Sequence, residues 1–139
     1  MAASFLPSYK RRLGDPNYDA NGAIDLNTDV IKIVLLTSGY VFSAAHDFLD
    51  DLVVATNSPT SGGTSAVTSP VVSTAGVFSA ANTVFTSVTT GFTITQYVVY
   101  KDTGVATTSA LIAHFDGHSQ ATNGGNLTVV HNVSGIFGL

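Results

Sequence analysis

His114, Asp116 and His118 fall together in "HFDGH", and two imidazoles beside a carboxylate are a donor set that zinc or iron accepts. Metal-binding cupin sandwiches use a His-x-His pair followed by Glu, and this chain contains no Glu. Asp-Gly is also an ordinary turn dipeptide. The reading preferred here is a strand end running into a turn, with no metal ligand among the three. In "HDFLDD", His46 and Asp50 would share one helix face and Asp47 and Asp51 another. Paired carboxylates can do acid–base work when burial raises one pKa, but Asp is ordinarily exposed, so the expectation is a solvent-facing acidic surface.

The stretch "GDPNYDANGAIDLNTD" can be laid on an EF-hand-like loop with Asn17, Asp19 and Asn21 at the first, third and fifth positions, Gly22 at the sixth and Ile24 at the eighth. The first ligand is then a neutral amide, and Thr28 stands where a bidentate acid belongs. A strand pattern follows in place of an exiting helix, so a turn-rich connection is expected. No Gly-x-Ser-x-Gly elbow surrounds any serine, and Gly62-Gly63 and Gly124-Gly125 read as turns rather than a phosphate cradle. Without cysteine, neither disulfides nor thiolate chemistry are available. The expected catalytic, cofactor and metal residues are therefore none.

The elements that would position these residues are mostly strands. "VIKIVLLTS" reads as a strand buried on both faces. "SAAHDFLDDL" reads as one short helix, with Ser43 as N-cap and Ala45, Leu49 and Leu52 at helical spacing. "LVVA", "TSAVTSPVV", "GVFS", "TVFTSV", "FTITQYVVYK", "SALIAHF", "NLTVVHN" and "SGIFGL" supply further strand segments, with "KDTG" and "TNGG" as turns between them. The stretch from Asn57 to Ser69 reads as a long surface loop. Short strands at this spacing predict an all-β fold: an antiparallel jelly-roll-like β-sandwich with one short helix and an extended N-terminal arm. Residues 1–14 are the expected arm and 15–139 the single sandwich domain. The arm is expected to lack order unless a partner holds it.

The 139 residues are 45% hydrophobic and only 10% charged, so the surface is largely Ser, Thr, Asn and Gly. Three of the five basic residues are Lys10, Arg11 and Arg12, on a net charge of −4. That distribution makes no stripe able to follow a phosphate backbone and argues against nucleic acid as a partner. No apolar run is long enough for a signal peptide or a membrane span, so synthesis in a cytoplasm and no membrane partner are expected.

The order "IDLNTDVIKIVLLTSGY", "HDFLDDL", "AGVFSAANTVFTSV", "VVYKDTG" with "ATTSALIAHFD", and "TNGGNLTVVHNVSGIFGL" resembles the capsid cement, or decoration, proteins of tailed bacteriophages. The resemblance covers residues 24–139 and is weakest between Val53 and Thr74. It implies a jelly-roll sandwich, no enzyme activity and no cofactor. It also implies a place on the outer surface of the virion capsid, where symmetric copies bind over joints between major capsid protein subunits. A homodimer is the favoured self-assembly, with a trimer as the other choice. Within the arm, Phe5, Leu6 and Tyr9 are expected to act as apolar anchors, and Lys10, Arg11 and Arg12 to meet an acidic patch on the capsid or a sister subunit. Two other readings stand beside this one. The first is a virion-surface module, on tail or head, that grips a host glycan through Tyr97 and Tyr100. The second is a cupin-like metal enzyme using His114, Asp116 and His118.

Overall fold

The structure is a computed structural model that describes residues 3–7, 9–10, 24–131 and 136–138. The fold is all-β and antiparallel, as expected for a sandwich, and a five-stranded sheet organises it. Its order is β1 (Ala3–Phe5), β9 (Leu111–Phe115), β8 (Gln96–Lys101), β2 (Ile31–Leu36) and β3 (Thr64–Ala66). Every neighbouring pair in it runs antiparallel. Among the described residues, three smaller sheets accompany it. One joins β12 (Phe137–Gly138), β5 (Val77–Ser79) and β4 (Val71–Val72). The others pair β11 (Leu127–Val129) with β6 (Thr83–Phe85), and β10 (Gln120–Ala121) with β7 (Thr93–Ile94).

The apolar run of β2 has its cause in this arrangement. Ile31, Ile33 and Leu35 enter one core with Tyr97, Val99, Ala113 and Phe115, against Phe78, Phe85, Val88 and Ile94. Val34 and Leu36 enter a second core with Val98, Tyr100 and Leu111 on the opposite face. Residues 40–54 cover that second face through Tyr40 and Leu52, with Phe42, Leu49 and Val54 packed alongside. Burying each large side chain contributes about 1.5–3 kcal/mol, so two buried faces make this sheet the stable centre of the molecule.

Several expectations need correction. The helix does not start after Ser43. A 3-10 turn spans Leu49–Leu52, and the four-residue helix α1 spans Val54–Asn57. Ser43 instead accepts the Ala45 N–H on its hydroxyl, closing a local turn. "LVVA" is therefore helical and not a strand, because Leu52 is needed in the second core while Val53 faces outward. "FTITQYVVYK" breaks at Thr95: β7 pairs with β10, whereas β8 pairs with β2 and β9, so the chain changes sheets at that residue. The stretch from Asn57 to Ser69 contains β3, whose exposed Thr and Ala suit a sheet edge.

Val53 joins the two helical turns with φ +47° and is 53% exposed. A β-branched residue in the left-handed region is strained. Val53→Gly is expected to raise stability by about 1 kcal/mol, read from urea unfolding, because little buried surface is lost. A destabilised variant would show that Val53 does more than join the turns.

Candidate functional site

The His114, Asp116 and His118 side chains do not converge. On β9, His114 lies on the second-core face, is 6% exposed, and its Nε2 is 2.6 Å from Gln96 Oε1. Gln96 Nε2 donates to the carbonyl oxygens of Thr37 and Tyr40, both at 2.8 Å, so Gln96 Oε1 acts as acceptor and His114 Nε2 carries the proton. Phe42 stacks on the imidazole at 4.8 Å, and Tyr40 meets it edge-on at 6.0 Å. His114 and Gln96 thus clamp the start of the covering segment to the sheet. Asp116 is exposed. His118 packs on Tyr97 at 5.0 Å, in the first core, and its Nε2 is buried without a hydrogen-bond partner. Burial holds the pKa of both histidines below the ordinary value, against a weaker upward pull from Asp116. Among the described residues, no three His, Asp or Glu side chains gather as a metal donor set.

The acids of "HDFLDD" are divided between structure and solvent. Burial raises the Asp51 pKa, but the backbone N–H groups of Asp47 and Phe48 donate to its carboxylate and bring it below the usual range. Asp50 is exposed, and without a continuous helix the expected His46/Asp50 and Asp47/Asp51 faces do not form. His46 Nδ1 instead lies 2.9 Å from the Tyr40 hydroxyl. Asn17, Asp19, Asn21 and Gly22 of the candidate calcium loop lie outside the described residues. Asp25 and Asp29 form a local turn, in which Asp29 accepts the Asp25 N–H at 2.7 Å and pairs with Lys101 at 3.1 Å. Lys32 pairs with Asp102 at 2.6 Å, and that contact is the main reason the Asp102 pKa is lowered. Both pairs are partly exposed, and each is worth about 1 kcal/mol or less.

The N-terminal segment departs most from expectation. β1 adds to the sheet edge, with Ala3 opposite Phe115 and Phe5 opposite Ala113. Leu6 is 1% exposed and lies in the second core, while Tyr9 is 0% exposed and lies in the first. In this conformation both anchors are spent on the chain's own cores and offer no surface to another subunit. The physical reason is that an edge strand with apolar residues gains more by docking on β9 than by staying solvated. Phe5 is half-buried and stacks on Tyr9 at 5.6 Å; Lys10 is exposed. Arg11 and Arg12 lie outside the described residues. Burial pushes the Tyr9 hydroxyl up to about 12, and that hydroxyl has no hydrogen-bond partner.

Tyr97 and Tyr100 are each 3% exposed, which removes both as stacking platforms for a sugar. Tyr97 lies at the edge of a cleft of about 470 Å3 that the sequence does not signal. Gln120–Thr122 and Leu127–Val130 line the cleft, with Leu35, Val88, Ile94 and His118 beside Tyr97. "TNGG" does turn the chain between β10 and β11, as its turn chemistry indicates, yet the two strands pair with β7 and β6 and not with each other. "SQAT" carries no strong strand signal, so β10 and the opening beside it were not legible locally.

Taken together, the fold and this cleft describe an all-β sandwich with a both-sides-buried central sheet and a groove between two strands. No protein-family model matches the chain, and no curated protein sequence matches it at a significant level.

Proposed function

We propose that this chain is a structural virion protein that binds the outer surface of a bacteriophage capsid and cements neighbouring major capsid protein subunits. The order of segments that resembles capsid decoration proteins supports this reading. The observation that carries it is the surface: Val41 and Val130 are 76% and 68% exposed, and Val30, Val53, Val71 and Val105 are also more than half exposed. Apolar side chains on a surface poor in charge can be covered by a partner with little desolvation cost. The doubly buried sheet behind them supplies a stiff body, and a cement protein requires neither a reactive group nor a cofactor.

The mechanism is avidity. Each copy makes modest contacts with more than one capsid subunit, and the first contact raises the effective concentration for the next. A homodimer suits a two-fold joint, and a trimer suits a three-fold. Phe5, Lys10, Arg11 and Arg12 remain the contacts proposed from the N-terminal segment, whereas Leu6 and Tyr9 act by holding that segment in the fold.

Co-sedimentation with purified empty capsids tests the reading. Saturable binding, with a fixed ratio of copies to major capsid protein and a raised capsid melting temperature, is expected. A chain that stays in the supernatant with capsids and pellets with host cells would overturn it in favour of a glycan-gripping module.

A further inference from the structure

The asparagine side chains of the described residues are used in two different ways. Asn27, Asn82 and Asn126 turn Oδ1 to distant backbone N–H groups, those of Val72, His131 and Ser87, at 2.9, 3.0 and 3.1 Å. Asn57 Nδ2 donates to the Leu52 carbonyl at 2.9 Å, which holds its amide nitrogen. These four precede Thr, Thr, Leu and Ser, whose side chains crowd the backbone nitrogen that follows each asparagine. Asn123 differs on both counts: it precedes Gly124, and it folds its amide onto its own turn.

Asn123 and Gly124 are both exposed in the connection from β10 to β11. Gly124 has φ +84°, and a Cβ there would meet nothing within 4 Å, so the peptide after Asn123 is open. Asn123 Oδ1 accepts the Gly125 N–H at 2.9 Å, which lays the carboxamide over the Gly124 peptide and brings Cγ toward the Gly124 nitrogen. The same N–H draws electron density from Cγ and stands where a donor would stabilise negative charge forming on Oδ1. Among the described residues none accepts a hydrogen bond from Asn123 Nδ2, so the nitrogen that would leave is unheld. The far side of the turn is anchored, because the Gly125 carbonyl accepts the Val88 N–H at 2.9 Å beside the Asn126–Ser87 bond. Nucleophile, electrophile and oxyanion donor are thus held in one short loop.

We propose that Asn123 is a self-modifying site, at which the Gly124 nitrogen attacks Asn123 Cγ and the chain acquires aspartate or isoaspartate. The bond from the Gly124 nitrogen to Cγ forms and the Cγ–Nδ2 bond breaks. The proton lost from the Gly124 nitrogen leaves with Nδ2 as ammonia, and a succinimide ring remains. Water then opens the ring at either carbonyl, so the net change is water consumed and ammonia released. Asn123 lines the cleft, which holds His118 but no Asp, Lys or Arg, so the product sets a carboxylate on an otherwise acid-free lining. Opening to isoaspartate also adds a methylene to the main chain of this turn. The inference concerns the turn alone and holds whether or not the chain binds a capsid.

The test incubates the full-length chain in mildly alkaline buffer, folded and in concentrated urea, and follows tryptic peptides by mass spectrometry, with fragmentation that separates aspartate from isoaspartate. Asn21–Gly22, the same dipeptide, falls in a different tryptic peptide and is scored separately. Asn123 is expected to convert in the folded chain at least as fast as in urea, with isoaspartate among the products, while Asn126 in the same peptide stays unchanged. Asn123→Gln, whose longer side chain closes a less favourable ring, should lose the mass gain at this position. Conversion of Asn123 more than about tenfold slower in the folded chain than in urea would show that the turn protects it and overturn the inference. Conversion of Asn126 at a rate equal to that of Asn123 would overturn it as well, since the Gly124–Gly125 geometry would then confer nothing.

Discussion

Leu6→Ala is expected to lower the unfolding free energy by about 3 kcal/mol and the melting temperature by roughly 10 °C. Leu6 is 1% exposed and shares the second core with Val34, Leu36, Val98 and Leu111, so the truncation leaves a hole between two sides that cannot easily collapse. The Leu6 N–H also donates to the Ile112 carbonyl at 3.1 Å, which holds the residue in register with β9. Two comparisons sharpen the result. Lys10→Ala, at an exposed position, should change stability by no more than about 0.5 kcal/mol. Tyr9→Phe removes only a buried hydroxyl without a partner and should leave stability equal or higher. If Leu6→Ala melts like the parent, the N-terminal segment is a solvated arm and its docking on β9 is wrong.

Replacing Gln96 by Leu should cost about 3 kcal/mol, because it strands the Tyr40 carbonyl and the His114 Nε2 proton in a site of low solvent access and leaves the Thr37 carbonyl with the Tyr40 N–H alone. The loss should be local as well as global. Amide exchange in residues 37–48 should accelerate more than in β2 or β8, since Gln96 ties that covering segment to the sheet. Equal acceleration everywhere would deny the clamp.

The same clamp makes the fold sensitive to acid. His114, His118 and His131 are each held below their ordinary pKa chiefly by burial, and His131 Nε2 is further engaged with the Thr83 hydroxyl at 2.9 Å. Below about pH 6.5 the unfolded chain takes up protons that the folded chain refuses, so stability is full above that value and falls as the pH drops through the lowered folded values. A second loss follows near pH ~3.9, where Asp51 and Asp102, both held below the usual carboxylate range, begin to protonate in the unfolded chain. Urea unfolding between neutral pH and pH ~5 checks the first window. His131→Gln should flatten the slope there, and a parent profile already flat across it would show that the histidines charge freely in the folded state.

Much of the sheet was legible because its signals are local. Ile31 to Leu36 alternate between two apolar faces, and a strand with no polar side has to be covered twice. β5, β6, β9 and β11 were legible for the same reason, from β-branched and aromatic runs bounded by turn residues.

What failed was whatever depends on a distant partner. Leu6 and Tyr9 read as exposed anchors because nothing near them in the chain reveals that β9 offers an edge and two cores. The helix predicted from Ser43 gave way because the backbone of Asp47 to Leu49 bonds across to Ser109 and Leu111 instead of along a helix. Tyr97 and Tyr100 looked available to a ligand until the strand faces were assigned.

The sequence by itself determined an all-β, charge-poor chain without cysteine or Glu, its central strand and most of its turns, because these follow from side-chain type and period along a few residues. Only the tertiary structure decided that the N-terminal segment closes the sheet, that Gln96 and His114 bind the cover, and that β10 and β11 part around a cleft. Those features depend on which edges meet across long sequence separations, and chain entropy and packing settle that choice only when the whole fold closes.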